Sequence, residues 1–216
     1  MSELEAGTRR LPVYLMLDCS GSMSGEPIEA VRVGMKTLLS ELKGDPQALE
    51  TVWLSVITFD SSARQVVPLT ELMQFKEPPV DASGSTALGE ALTLLSSCVD
   101  KEVKKTTANQ KGDWKPLIFL MTDGEPTDSW EGPADAIKQK RPGNFIACGA
   151  GPNVNESTLK RMTEAVVRLN SLQPDDLKAF FKWVSASVTT TSQNVAAKGD
   201  APINLPPPPA QIQIIP

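Results

Sequence analysis

The stretch Leu11-Pro-Val-Tyr-Leu-Met-Leu-Asp18 decides the fold of this chain. An almost wholly apolar run that ends in a carboxylate is typical of a strand buried on both faces, as in a parallel sheet covered by helices. A second run of this kind, Pro116-Leu-Ile-Phe-Leu-Met-Thr-Asp123, occurs later in the chain. A third, residues 51–60, is rich in β-branched and aromatic residues and is also a predicted strand.

The segments between these strands carry apolar residues at helical spacing. Helices are predicted near residues 28–42, 88–105, 131–140, 156–164 and 175–190, and further strands at 63–69, 144–149 and 166–169. Alternating strands and helices predict an α/β protein with a three-layer α/β/α, Rossmann-like arrangement around a mostly parallel sheet. The short link Ser61-Ser62 favours a hairpin, so the strand that follows it is the predicted antiparallel edge strand.

The composition narrows the possible functions. The 216 residues are 40% hydrophobic and 22% charged, which suits one globular domain with tails. The chain contains no histidine, so a Ser-His-Asp triad and any His-ligated metal site are excluded. A net charge of -5 disfavours nucleic acid as a partner.

The apolar runs fall far short of the ~20 residues that span a bilayer. With no secretory signal and three cysteines outside any CxxC pair, we expect a cytoplasmic protein.

The predicted domain boundaries leave a tail at each end. Residues 1–9 form the expected N-terminal tail, residues 10–192 the domain, and residues 193–216 a Pro-rich C-terminal tail. The four consecutive prolines Pro206–Pro209 favour an extended or polyproline segment outside the core. Such a segment is either a disordered tail or one held by another molecule.

Polar side chains cluster in three loops that the topology brings together. Both strands that end in an aspartate are expected to be neighbours at the switch in strand order, where α/β folds bind ligands. The loops supply two carboxylates and three hydroxyls, which are Asp18, Ser20, Ser22, Thr86 and Asp123. Oxygen ligands of this kind suit Mg²⁺, with Mn²⁺ or Ca²⁺ as alternatives. Taken singly, Asp18 or Asp123 is better explained as a turn or capping residue.

These five positions resemble the metal-ion-dependent adhesion site of von Willebrand factor A domains. Asp18-x-Ser20-x-Ser22, Thr86 and Asp123 match its pattern in full, and the order of elements agrees from about residue 10 to residue 190. The resemblance implies that the two serines and the threonine bind the metal directly, while the two aspartates act largely through water. It also implies a metal site that is competent.

A closer resemblance is to the TerY family, the A-domain proteins of bacterial tellurium-resistance and stress systems. The segments that carry it are Arg10-Leu-Pro-Val-Tyr-Leu15, Gly25-Glu-Pro-Ile-Glu-Ala-Val31 and Ala63-Arg-Gln-Val-Val-Pro-Leu-Thr-Glu-Leu72. This family implies a cytoplasmic bacterial protein whose suspected partners are a PP2C-type phosphatase and a serine/threonine kinase-like protein.

The sequence therefore predicts a binding module rather than an enzyme. In this hypothesis the bound cation takes an Asp or Glu carboxylate from a protein partner. The alternative is a scaffold that binds its partners without metal. A metal-dependent hydrolase is less favoured, because the chain lacks a P-loop and a Cys-x5-Arg motif, and Ser20 stands where haloacid-dehalogenase-type phosphatases need a second aspartate.

Overall fold

The computed structural model describes residues 9–152, 154–198 and 205–216. The strands are β1 (Leu11–Asp18), β2 (Val52–Phe59), β3 (Ala63–Glu71), β4 (Leu117–Thr122), β5 (Asn144–Ala150), β6 (Ala165–Leu169) and β7 (Ile212–Ile215). The α-helices are α1 (Glu26–Gly44), α2 (Pro46–Thr51), α3 (Leu88–Glu102), α4 (Glu131–Lys140), α5 (Glu156–Met162) and α6 (Pro174–Lys198).

Within the described residues the strands form one sheet in the order β3-β2-β1-β4-β5-β6-β7. The four pairs from β2 through β6 are parallel. The edge strands β3 and β7 are antiparallel to their neighbours. The predicted α/β fold with a mostly parallel sheet is confirmed, and so is the antiparallel hairpin at Ser61-Ser62.

The central strand β1 is buried along its whole length because helices cover both faces of the sheet. Its alternate side chains enter two separate cores, as the two-residue period of a strand requires. Leu15 lies in the core beneath α1 and α6. Met16 lies in the core beneath α3, α4 and α5. The apolar run is uninterrupted because neither face of this strand is exposed to water.

Helices α1 and α6 pack against each other at Gly34, where an added side chain would meet the partner helix. A Cβ atom on Gly34 of α1 would lie 2.1 Å from Cδ2 of Phe181 on α6. Phe181 is fully buried and meets the ring of Phe180 edge-on, with centroids 5.5 Å apart. The absence of a side chain at Gly34 therefore sets how closely the two helices approach.

One helix was not predicted. No helix was predicted between residues 42 and 88, yet α2 begins at Pro46, directly after α1. The Oδ1 atom of Asp45 accepts a hydrogen bond from the backbone N of Ala48 at 2.7 Å, which is N-terminal capping. Proline at the first helical position is compatible with this start, because its missing N–H is not needed there.

The C-terminal prediction is wrong in two respects. Helix α6 continues to Lys198, so the expected boundary at residue 192 falls inside a helix. Residues 212–215 then pair with β6 as β7, whereas the tail was expected to lie outside the core. Ile212 is 4% exposed, and Nε1 of Trp183 donates to the carbonyl of Pro206 at 3.0 Å. Burial of Ile212 holds the chain that follows the proline run against the edge of the sheet.

Two parts of the predicted tails lie outside the described residues, namely 1–8 and 199–204. Among the residues that the structure describes, no helix is both long and apolar enough to cross a membrane.

Candidate metal centre

The two aspartates that end apolar strands meet at one edge of the sheet. Strand β1 pairs in parallel with β4, and Leu17 stands opposite Met121. Asp18 and Asp123 follow at the carboxyl ends, where parallel strands direct ligand-binding loops. We call residues 18–22 loop one, residues 84–86 loop two and residues 122–124 loop three.

Three of the predicted residues are linked directly by hydrogen bonds. The hydroxyls of Ser20 and Ser22 lie 3.0 Å apart. Ser22 Oγ donates to Oδ1 of Asp123 at 2.8 Å, which joins loop one to loop three across the end of the sheet. The two-residue spacing of the serines places both hydroxyls on one side of the loop.

Asp18 is fully buried and receives two hydrogen bonds. Its Oδ1 accepts from the backbone N of Ser20 at 2.8 Å. Its Oδ2 accepts from Oγ1 of Thr122 at 2.5 Å. Thr122 was not a predicted site residue, although its place directly before Asp123 at the end of a strand was a usable signal.

Loop two is tied to loop one through the backbone. The backbone N of Gly21 donates to the carbonyl of Gly84 at 3.0 Å, and the N of Ser83 donates to the carbonyl of Cys19 at 2.8 Å. Gly84 has a φ of +70°, and a Cβ there would lie 2.2 Å from Oγ of Ser61. Only glycine therefore allows loop two to take this path.

Thr86 lies at the junction of loop two and loop three. It is 5% exposed, and its Oγ1 is 3.8 Å from the place that a Cβ on Gly124 would occupy. The hydroxyl of the fifth predicted residue thus faces loop three, the loop that carries Asp123. All five predicted residues gather at the same edge of the sheet.

Burial dominates the electrostatics of this edge. Desolvation raises the pKa of Asp18 above its ordinary value, against the lowering effect of its hydrogen bonds. Desolvation also raises the pKa of Asp123, and the charge of Asp18 adds to this. Two partly desolvated carboxylates without a nearby cation are costly in the ionised form, and a bound divalent cation would relieve that cost.

The donor set fits a hard divalent cation. No three carboxylate, thiol or imidazole groups converge to hold a metal anywhere in the described part of the chain. A metal at this edge must therefore use hydroxyl ligands beside the two carboxylates. Oxygen donors of mixed charge are what Mg²⁺ takes in proteins, usually together with water.

The thiols do not contribute to this centre. Cys19, Cys98 and Cys148 are free and buried. Burial raises the pKa of the Cys19 thiol to about 12 and that of Cys98 to about 11. Both thiols therefore stay protonated at neutral pH. A protonated thiol is a poor metal ligand and a poor nucleophile.

The chain belongs to the von Willebrand factor type A domain family, whose sequence profile matches residues 13–182. An uncharacterized protein of Synechocystis sp. is 35% identical over 124 residues, which are 54% of this chain and 26% of that protein.

Two solved structures share the fold. The von Willebrand factor type A protein from Catenulispora acidiphila gives a TM-score of 0.63 at 20% identity, over 84% of this chain and 43% of that one. The ArnB paralog VWA2 from Sulfolobus acidocaldarius gives 0.60 at 18% identity, over 84% and 46%. In each comparison the matched region covers less than half of the relative.

Proposed function

We propose that this domain is a metal-ion-dependent module for binding another protein. Its metal site would be formed by Asp18, Ser20, Ser22, Thr86 and Asp123, with Mg²⁺ as the preferred cation and Mn²⁺ or Ca²⁺ as alternatives. The observation that carries the proposal is the convergence of two carboxylates and three hydroxyls from three separate loops, with Ser22 Oγ only 2.8 Å from Oδ1 of Asp123.

The residues have different roles in this proposal. The neutral hydroxyls of Ser20, Ser22 and Thr86 bind the metal without cancelling its charge. Asp18, which already accepts hydrogen bonds from Ser20 and Thr122, orients the loop and acts through water. When bound, the cation would supply an electrophilic position for an Asp or Glu carboxylate of the partner. The exposed Ser22 lies on the side of the centre that a partner can reach.

The biological setting is part of the same proposal. The resemblance of residues 10–15, 25–31 and 63–72 to the TerY family supports a role in a bacterial tellurium-resistance or stress-response system, in the cytoplasm. The suspected partners are then a PP2C-type phosphatase and a serine/threonine kinase-like protein. Binding of purified candidates to this chain, with Mg²⁺ and with EDTA, tests this assignment.

Binding rather than catalysis is supported by the side chains present. The chain has no histidine to act as a general base at neutral pH. The thiol nearest the centre, Cys19, is 2% exposed and its pKa is raised to about 12. A nucleophile activated in the usual ways is therefore missing from loop one.

One observation favours a second candidate, a scaffold that works without metal. Ser20, Ser22 and Asp123 already bond one another, and Asp18 bonds Thr122. Polar groups that satisfy each other in this way do not require a cation for folding. In that case EDTA would leave partner binding unchanged.

Metal titration into chelated protein tests the proposal directly. At Mg²⁺ about 100-fold above its Kd, stabilisation is about 2.7 kcal/mol. For a domain of this size, that raises the Tm by roughly 5–10 °C. We expect Thr86→Ala and Ser22→Ala to lose most of this shift and of the calorimetric signal. Ser24→Ala, at an exposed position just beyond loop one, is the matched control and should keep both.

The metal proposal is overturned if none of the three cations changes the Tm of the wild-type protein. It is also overturned if Thr86→Ala and Ser22→Ala show the same Tm shift as the wild type. The scaffold would then be the better account.

A further inference from the structure

Two side chains that follow loop three, Thr127 and Asp128, bond the backbone of loop two and the first turn of α3. We infer that these two are positioning residues for the metal centre, because they fix the peptide groups around Thr86. The inference rests on the proposed function and names residues outside the set of metal ligands. We call Thr127 and Asp128 the clamp.

The first half of the clamp acts on Thr86 itself. Oγ1 of Thr127 accepts a hydrogen bond from the backbone N of Thr86 at 3.0 Å. The backbone N of Thr127 in turn donates to the carbonyl of Thr86 at 2.9 Å. This reciprocal pair holds the peptide groups on both sides of the Thr86 Cα, and so limits where its hydroxyl can point.

The second half of the clamp fixes the helix that begins next to Thr86. Oδ1 of Asp128 accepts from the backbone N of Gly89 at 3.0 Å, and Oδ2 accepts from the N of Glu90 at 2.9 Å. The residue before α3, Ala87, has no side chain that could cap the helix. Asp128 therefore caps α3 from a distant part of the sequence, and its charge suits the positive end of the helix.

Close packing against α3 restricts the positions that the clamp can take. A Cβ on Gly89 would lie 2.5 Å from the carbonyl O of Ser129 and 3.0 Å from Oδ2 of Asp128. The segment after loop three thus lies directly against the start of α3. Since Asp123 is on this same segment, one stretch of chain carries a proposed carboxylate ligand and sets the position of a proposed hydroxyl ligand.

A purely structural role for Asp128 would be that of any helix cap, which stabilises the fold without affecting metal affinity. The two roles differ in what they change. A cap alone alters the Tm, whereas a positioning residue alters the Kd for metal measured on folded protein. Residues that orient metal ligands typically change metal affinity about 10- to 100-fold when they are replaced.

The test is the Mg²⁺ Kd of the full chain, measured by calorimetry well below the Tm of every variant. Thr127→Val removes the acceptor for Thr86 N, and Asp128→Ala removes both acceptors at α3. We expect each to weaken Mg²⁺ binding by about tenfold or more. Thr127→Ser keeps the hydroxyl and should restore the wild-type Kd. Asp128→Asn keeps one acceptor oxygen, so it should fold and show an intermediate Kd.

The matched control is Asp45→Ala, which removes the cap of α2, a helix beside the amino ends of β1 and β2, whereas the metal centre lies at the carboxyl ends. It should lower the Tm and leave the Kd for Mg²⁺ unchanged. Clamp variants that are less stable but bind Mg²⁺ as the wild type does overturn the inference and leave the metal proposal intact. Equal weakening by Asp45→Ala also overturns it. A wild-type chain that binds no Mg²⁺ overturns both.

Discussion

At the scale of single residues, the two buried carboxylates give the metal proposal a defined pH dependence. Burial raises the pKa of Asp18 and of Asp123 in the folded state. Between the unfolded and folded pKa values, the folded chain binds more protons than the unfolded chain. In metal-free protein, the contribution of these groups to the free energy of unfolding therefore falls as the pH rises.

A cation reverses this trend because its charge favours the ionised carboxylates. We expect the Mg²⁺-induced rise in Tm to be smaller at about pH 4, near the ordinary pKa of an aspartate, than at about pH 8. Paired melting curves with EDTA and with saturating Mg²⁺ across that range measure the difference. A rise of equal size at both ends of the range would contradict the expectation, and Thr86→Ala supplies the metal-insensitive baseline.

Gly34 offers a second test at this scale. Its missing Cβ would lie 2.1 Å from the buried ring of Phe181, so Gly34→Ala should destabilise the fold by about 1–3 kcal/mol through overpacking. Gly132→Ala in α4 is the matched control, because nothing lies within 4 Å of its Cβ position. Alanine there should stabilise by up to about 1 kcal/mol through helix propensity. Urea denaturation measures both, and destabilisation by both variants would contradict the packing argument.

At the scale of elements, one buried side chain, that of Ile212, contributes most to holding strand β7 on the sheet. Ile212 is 4% exposed and Ile214, on the same face, is 65% exposed. Ile212→Ala should therefore cost about 2–4 kcal/mol, while Ile214→Ala should cost less than about 0.5 kcal/mol. Chemical denaturation of the two variants gives the comparison. Equal and small costs would mean that β7 adds little to the sheet.

The elements also show what the sequence could and could not predict. The apolar runs that end in Asp18 and Asp123 correctly indicated buried parallel strands, because covering both faces of a sheet demands continuous apolar residues. Helix α2 was missed because six residues are too few for a periodic pattern. Strand β7 was missed because the proline run before it indicated a separate tail, and only the contact between Trp183 and Pro206 reveals where that run goes.

The candidate site, like the elements, could be predicted from the sequence only in part. Its five residues could be named from one chain because they form a recognised pattern at strand ends. The clamp could not, since Thr127 and Thr86 are 41 residues apart and no local signal connects them. Contacts of this range depend on how loops pack, which sequence periodicity does not encode.

At the scale of the whole molecule, one sheet separates two cores that share its strands. Leu15 and Met16 are adjacent in β1 but lie in different cores. Loss of either core uncovers one face of the same strand, so we expect a single cooperative transition. Far-ultraviolet circular dichroism and tryptophan fluorescence should give coincident urea curves for wild type, Leu15→Ala and Met16→Ala. A second transition in either variant would mean that the cores are separable.

The position of β1 in the sheet also has a consequence for synthesis on the ribosome. Val13 of β1 pairs with Leu117 of β4, so the strand nearest the start of the chain waits for a neighbour made about 100 residues later. At about 5–20 residues per second, that delay is roughly 5–20 s. Throughout it, the apolar strand β1 of the nascent chain lacks its partner on one side. We therefore expect the growing polypeptide to depend on chaperones that shield such segments.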